Sequence, residues 1–139
     1  MRFLMEAATT TTRLQPREHT LVHFEIPTND PAKVSRFYEQ LFGWKFSKMP
    51  AGDMDYWLIS HKDAPENETM GGLYKKMMGE TGFVNYFSVV NIDQSLAKAT
   101  DLGAKVVRGK EEIPNIGWFA IVQDPDNNTF AFFQSSGRM

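Results

Sequence analysis

Apolar and polar positions alternate along this chain with two different periods, and the order in which those periods appear occurs twice. Val22, Phe24 and Ile26 fall at every second position, the spacing of a strand with one face buried. Asp30-Pro31 follows, a capping residue before a favoured first-turn residue, and Val34, Phe37, Tyr38, Leu41 and Phe42 then recur at i, i+3, i+4, i+7 and i+8. This stripe predicts a helix that turns Phe37 and Leu41 to the sheet and stops at Gly43. The second copy opens with the strand-like run from Val84 to Val90. Asp93 is the expected cap of a shorter helix running through Leu102 to Gly103, with a thinner stripe of Leu96, Ala97 and Thr100. Strands are predicted near 20–27, 44–49, 54–60, 70–76, 83–90, 104–108, 117–123 and 128–134, so each half is strand, helix, then three strands. Two like halves side by side enclose a cleft, and function is to be sought at their matched positions.

Length and composition sharpen this picture. With 139 residues the chain is one domain by size, 18–139, built of a first module at about 20–76 and a second at about 83–135, after a flexible tail over 1–17. The absence of cysteine excludes disulfides, thiolate metal sites and a cysteine nucleophile, and suits a reducing cytoplasm. A net charge of −2 with interspersed signs gives no footprint for nucleic acid. No apolar run approaches the roughly 20 residues of a membrane helix.

The runs His23-Phe24-Glu25-Ile26-Pro27, Phe37-Tyr38-Glu39-Gln40-Leu41-Phe42-Gly43-Trp44, Gly71-Gly72-Leu73 and Asp124-Pro125-Asp126-Asn127-Asn128 resemble the vicinal oxygen chelate superfamily, which includes glyoxalases, bleomycin-resistance proteins and extradiol dioxygenases. The resemblance spans about Thr20 to Gln134 and is nearest to a group of small glyoxalase-like proteins. It implies an α+β fold of two βαβββ modules forming a concave, barrel-like mixed sheet with helices outside. It also implies association into a homodimer.

In enzymes of the family the cleft holds a divalent metal, with one ligand from the first and one from the last strand of each module. Here those places carry His23, Gly72, Tyr86 and Ala131, the last being seven residues after Asp124. Only His23 is a conventional ligand, so the set is incomplete and no metal residues are assigned; catalytic metals need about three side chains. Gln134 lies three residues from Ala131 and so belongs to the other face of its strand.

Alternation leaves His23 and Glu25 together on the cleft face of the first strand, a pair suited to proton transfer if desolvated and otherwise an ordinary ion pair or wall residues. Tyr86 and Ser88 belong to the matching face of the second module. Aromatic residues make up 13% of the chain, and Tyr86, Phe133 and one of each pair Tyr56/Trp57 and Trp118/Phe119 fall toward the cleft; Tyr56 and Trp118 are the candidates, with Gly72 and Ala131 leaving room for a ligand. The segment from Gly109 to Gly117 reads as a flexible loop over the cleft mouth, and Met77-Met78 as a cap on the opposite edge or a linker.

Two functions are consistent with these residues. One is a protein that binds a small organic, flat or apolar molecule in an aromatic cleft with a degenerate metal site, as the bleomycin-resistance branch does. The alternative is a lyase or isomerase related to lactoylglutathione lyase, using His23 and Glu25 for proton transfer or an unconventional divalent metal.

Overall fold

Eight strands and two helices follow one another in the order set by the two periodicities. A computed structural model describes residues 17–137 apart from 52, 53, 67 and 78, so most of the tail, part of the turn at 50–53 and Met78 lie outside the described residues. The elements are β1 (Leu21–Thr28), α1 (Pro31–Phe42), β2 (Lys45–Ala51), β3 (Met54–Ser60), β4 (Gly71–Lys75), β5 (Val84–Ser88), α2 (Ile92–Asp101), β6 (Lys105–Ile113), β7 (Gly117–Gln123) and β8 (Thr129–Ser135). They form one mixed sheet in the order β2-β3-β4-β1-β5-β8-β7-β6. Each half repeats one plan: its first strand pairs in parallel with its last, β1 with β4 and β5 with β8. The halves join through the antiparallel pairing of β1 with β5, which puts the equivalent strands at the centre. The sheet does not close, because β2 and β6 each pair on one side only.

The core lies on the helix side, in one cluster per half. Ile26, Ile59 and Leu73 are buried against Phe24, Val34, Tyr38, Trp44, Phe46 and Trp57, while Val89, Ile92 and Ala120 are buried against Leu96, Trp118 and Phe132. These clusters fix the parity of β1 to β4, β7 and β8, and pairing with β1 and β7 carries it to β5 and β6; residues that alternate with the core positions face the other, concave side.

Three local expectations are corrected. In α1 the sheet-facing residues are Val34 and Tyr38, whereas Phe37 and Leu41 are more than half exposed on the outer face. The apolar stripe of this helix is wider than the arc that meets the sheet, so periodicity alone could not say which part is covered. The cap of α2 is Asn91, whose side chain accepts a hydrogen bond from the backbone of Gln94. Asp93 therefore sits in the first turn, and the buried face is Ile92 and Leu96 rather than Ala97 and Thr100. Gly109 to Ile113 is not a loop but the second half of β6, which pairs with β7 through a register shift between Arg108 and Glu111. Its charged side chains suit an exposed edge strand.

Candidate functional site

Glu25 is the centre of the concave face. β1 is the innermost strand of its half, so a side chain on its open side is flanked by β4 and β5, and Glu25 stands opposite Gly72 on one side and Val84 on the other. Both carboxylate oxygens accept hydrogen bonds from phenols: Tyr56 O–H donates to Oε2 at 2.8 Å and Tyr86 O–H to Oε1 at 2.7 Å. Because Tyr56 gives its proton to Glu25, its oxygen accepts from His23 Nε2–H at 3.0 Å. The His23 and Tyr86 rings also meet in a T-shaped arrangement, with centroids 5.5 Å apart. One hydrogen-bonded chain, His23–Tyr56–Glu25–Tyr86, thus crosses the boundary between the two halves.

Gly72 makes this chain possible. A Cβ at position 72 would collide with the Tyr56 hydroxyl oxygen and the ring carbon that bears it, so the phenol occupies the space a larger residue would fill. Gly71 plays the equivalent part on the helix side, where the Phe24 ring and carbonyl oxygen take that space.

Burial sets the protonation states. His23 is pushed down to about 4 by desolvation, which leaves it neutral at pH 7. Desolvation holds Glu25 above the usual carboxylate range, opposed by its two phenol hydrogen bonds and by the charge of Arg108. The Tyr56 and Tyr86 phenols are raised well beyond their ordinary value, first by burial and then by the Glu25 charge, so both remain proton donors.

The remaining predicted residues separate. Ala131 is fully buried opposite Tyr86 and Ile121, and Phe133 stands opposite Phe119 on the concave side. Ser88 is taken up by the N-terminal segment: its Oγ donates to the carbonyl of Arg17 and accepts from the N–H of Thr20. Trp118 is corrected to the opposite face, where it packs in the α2 core beneath Lys110, itself paired with Asp93. The register decides this, since pairing Ile121 with Ala131 places Phe119 on the concave side and Trp118 opposite Gln134. Gln134 Oε1 accepts from the N–H of Ile92 at the start of α2.

Two concave-face residues, Tyr74 and Arg108, escaped the sequence reading, and Phe119 is the member of the Trp118/Phe119 pair that lies on the cleft side. Phe119 lies 6.3 Å from Tyr86, Tyr74 stacks at 6.5 Å on Tyr56, and Arg108 places its guanidinium 5.7 Å over Phe119. Phe119 follows from strand parity once β8 is in register, but nothing local marks Arg108, because the register shift in β6 sets its direction.

The donor set does not fit the metal centre implied by the resemblance. No cluster of three or more His, Cys, Asp or Glu side chains occurs among the described residues. Both Glu25 oxygens and His23 Nε2 are engaged with phenols, and the other family positions carry Gly72, Tyr86 and Ala131.

Paired βαβββ halves with a polar group at the seam of a cupped sheet define the class: a glyoxalase-type α+β protein. The chain belongs to the Glyoxalase/Bleomycin resistance protein/Dioxygenase superfamily, whose family description matches residues 20–132. It is 32% identical over 114 residues to the candidate glyoxylase CFP32 of Mycobacterium bovis, covering 81% of this chain and 42% of that protein. The chain therefore spans well under half the length of the curated relatives it matches. In fold it is similar to a Streptomyces coelicolor methylmalonyl-CoA epimerase variant solved with 2-nitronate-propionyl-CoA (TM-score 0.64, 12% identity, 86% of this chain and 99% of that one). It is also similar to a hypothetical protein from Bacillus halodurans C-125 (TM-score 0.63, 12% identity, 87% and 97%). Among the described residues no helix is long and apolar enough to cross a membrane.

Proposed function

We propose that this protein binds a small organic molecule on the concave face, over the floor made by Glu25, Tyr56 and Tyr86, without a metal of the usual family type. The observation that carries this reading is the phenol-bound carboxylate. Glu25 and His23, the two groups best able to ligate, are tied to tyrosines, and the aromatic rings of Tyr86, Phe119 and Phe133 stand beside them as an apolar wall. Such a surface offers stacking area with a few fixed polar groups, the usual composition of a ligand site. The ligand is a flat or apolar molecule, the protein acts as a homodimer, and its lack of cysteine fits a cytoplasmic location.

A second reading is favoured by the protonation states. A carboxylate with a raised pKa beside a neutral imidazole is suited to moving a proton to or from carbon or oxygen, the chemistry of a lyase or isomerase.

One pair of variants separates the two. For a ligand found by thermal-shift screening, Tyr86→Ala should weaken binding by about 1–3 kcal/mol through lost ring contact and hydrogen bonding. His23→Gln should change affinity modestly in a binding protein, but should lower turnover of a substrate roughly 10²–10⁴-fold in an acid–base enzyme. Ligands indifferent to both substitutions, in variants that melt like the parent, would remove the concave face from consideration.

A further inference from the structure

Charge is distributed unevenly over the concave face. The buried carboxylate of Glu25 lies at the seam between the halves, and among the described residues the cation whose field reaches it is Arg108, on edge strand β6 of the second half. Arg108 stands opposite Ile121 and Glu111 opposite Phe119, so both project on the side of the sheet that carries Tyr86 and Phe133. The guanidinium lies 5.7 Å over the Phe119 ring, and its Nε donates to Glu111 Oε2 at 2.7 Å. Both side chains of this pair are 45% exposed. A guanidinium that lies over an aromatic ring and is paired through Nε with a half-exposed carboxylate has further N–H donors to offer, and an exposed pair of this kind is easily exchanged for another anion.

We propose that Arg108 is the specificity-determining residue of the concave face and that the ligand is an aromatic or flat apolar molecule bearing a carboxylate. The carboxylate displaces Glu111 and takes the guanidinium fork, while the ring stacks along Phe119 and Tyr86. The opposite end of the ligand, over Glu25, is neutral or a hydrogen-bond donor, because a second anion there would meet a carboxylate. This rests on the concave-face reading above and adds to it the chemical class of the occupant.

The test uses the full chain and two matched probes, a phenyl-substituted carboxylate (phenylpropanoate) and its neutral amide (phenylpropanamide), titrated by NMR and calorimetry at low ionic strength. The carboxylate should bind at least tenfold more tightly than the amide. Arg108→Gln should abolish that preference and leave amide affinity within about twofold, Arg108→Lys should restore only part of it, since an ammonium lacks the planar fork, and Glu111→Gln should tighten the carboxylate several-fold by freeing the guanidinium. Equal binding of the two probes, or a preference untouched by Arg108→Gln, overturns the assignment while leaving the concave-face reading intact if Tyr86→Ala still weakens both. Failure of both probes to bind at millimolar concentration overturns the two together. Arg108 is half exposed, so its variants should melt within about 2 °C of the parent, and a larger fall in Arg108→Gln is controlled by the Arg108→Lys comparison.

Discussion

A hydroxyl group standing where a Cβ would be is the most restrictive contact on the concave face. Gly72→Ala must push the Tyr56 ring aside, which breaks the link from His23 to Glu25, and overpacking of this kind costs about 1–3 kcal/mol. The same substitution made in a Tyr56→Ala background should cost much less, so a double-mutant cycle read from urea midpoints should show strong coupling between positions 56 and 72. Additive effects would mean that the ring does not lie over Gly72. His23 makes a separate prediction through protonation. Its pKa falls from the ordinary 6.5 to about 4 on folding, so between those values the unfolded chain binds more protons than the native one. Stability must therefore drop as pH is lowered from about 6.5 to 4, by on the order of 2–3 kcal/mol from this group. Glu25, with a raised pKa, acts in the opposite sense: the native state holds its proton longer, so its contribution falls as pH rises. Comparing the parent with His23→Gln at pH 7 and pH 4.5 isolates the histidine, and the variant should lose less stability on acidification.

At the scale of elements, α1 carries its apolar residues on two sides. Val34 and Tyr38 pack on the sheet core, and Tyr38 stacks on Trp44 at 5.2 Å. Phe37, Leu41 and Phe42 are 55%, 56% and 50% exposed. Tyr38→Ala should accordingly cost roughly 2–4 kcal/mol, while Phe37→Ala and Leu41→Ala in the isolated chain should each cost well under 1 kcal/mol. Asp30→Ala should fall between, at about 1 kcal/mol, because its Oδ1 accepts from the N–H of Lys33 and caps the helix. Chemical denaturation at low protein concentration checks the ranking, and a Phe37 cost equal to that of Tyr38 would require the outer face to be covered.

For the whole molecule, the amount of apolar surface left uncovered is the dominant feature. Beside the outer residues of α1, the large side chains Leu21, Phe83, Val90, Leu102, Val106, Val107 and Ile116 are between 46% and 72% exposed. The sheet ends at the single-sided edges β2 and β6. Exposed apolar area and open edges are surfaces that association covers. Light scattering at micromolar concentration should give twice the chain mass, and Phe37→Glu combined with Leu41→Glu should return it to one chain mass if α1 forms the contact. A parent sample scattering as a single chain would count against the dimer.

The sequence by itself determined the number and duplicated order of the elements and the side of β1 on which His23 and Glu25 lie, because periods of two and 3.6 residues are local properties of the chain, whereas it misplaced the cap of α2 and the second half of β6. It also placed Gly72 next to the chemistry without saying why, since the reason is the Tyr56 ring, from a strand 16 residues earlier. The tertiary structure alone decided which aromatics meet that pair. Trp118 and Phe119 are adjacent, both large and apolar, and only the pairing of β7 with β8 chooses between them. Likewise, only the register shift inside β6 turns Arg108 over Phe119, and only the sheet's arc against α1 leaves Phe37 outside and Val34 within. The first two depend on registration between distant strands, where a slip of one residue exchanges the two faces, and the third on which arc of a wide apolar stripe meets the sheet; no local pattern in the chain records either choice.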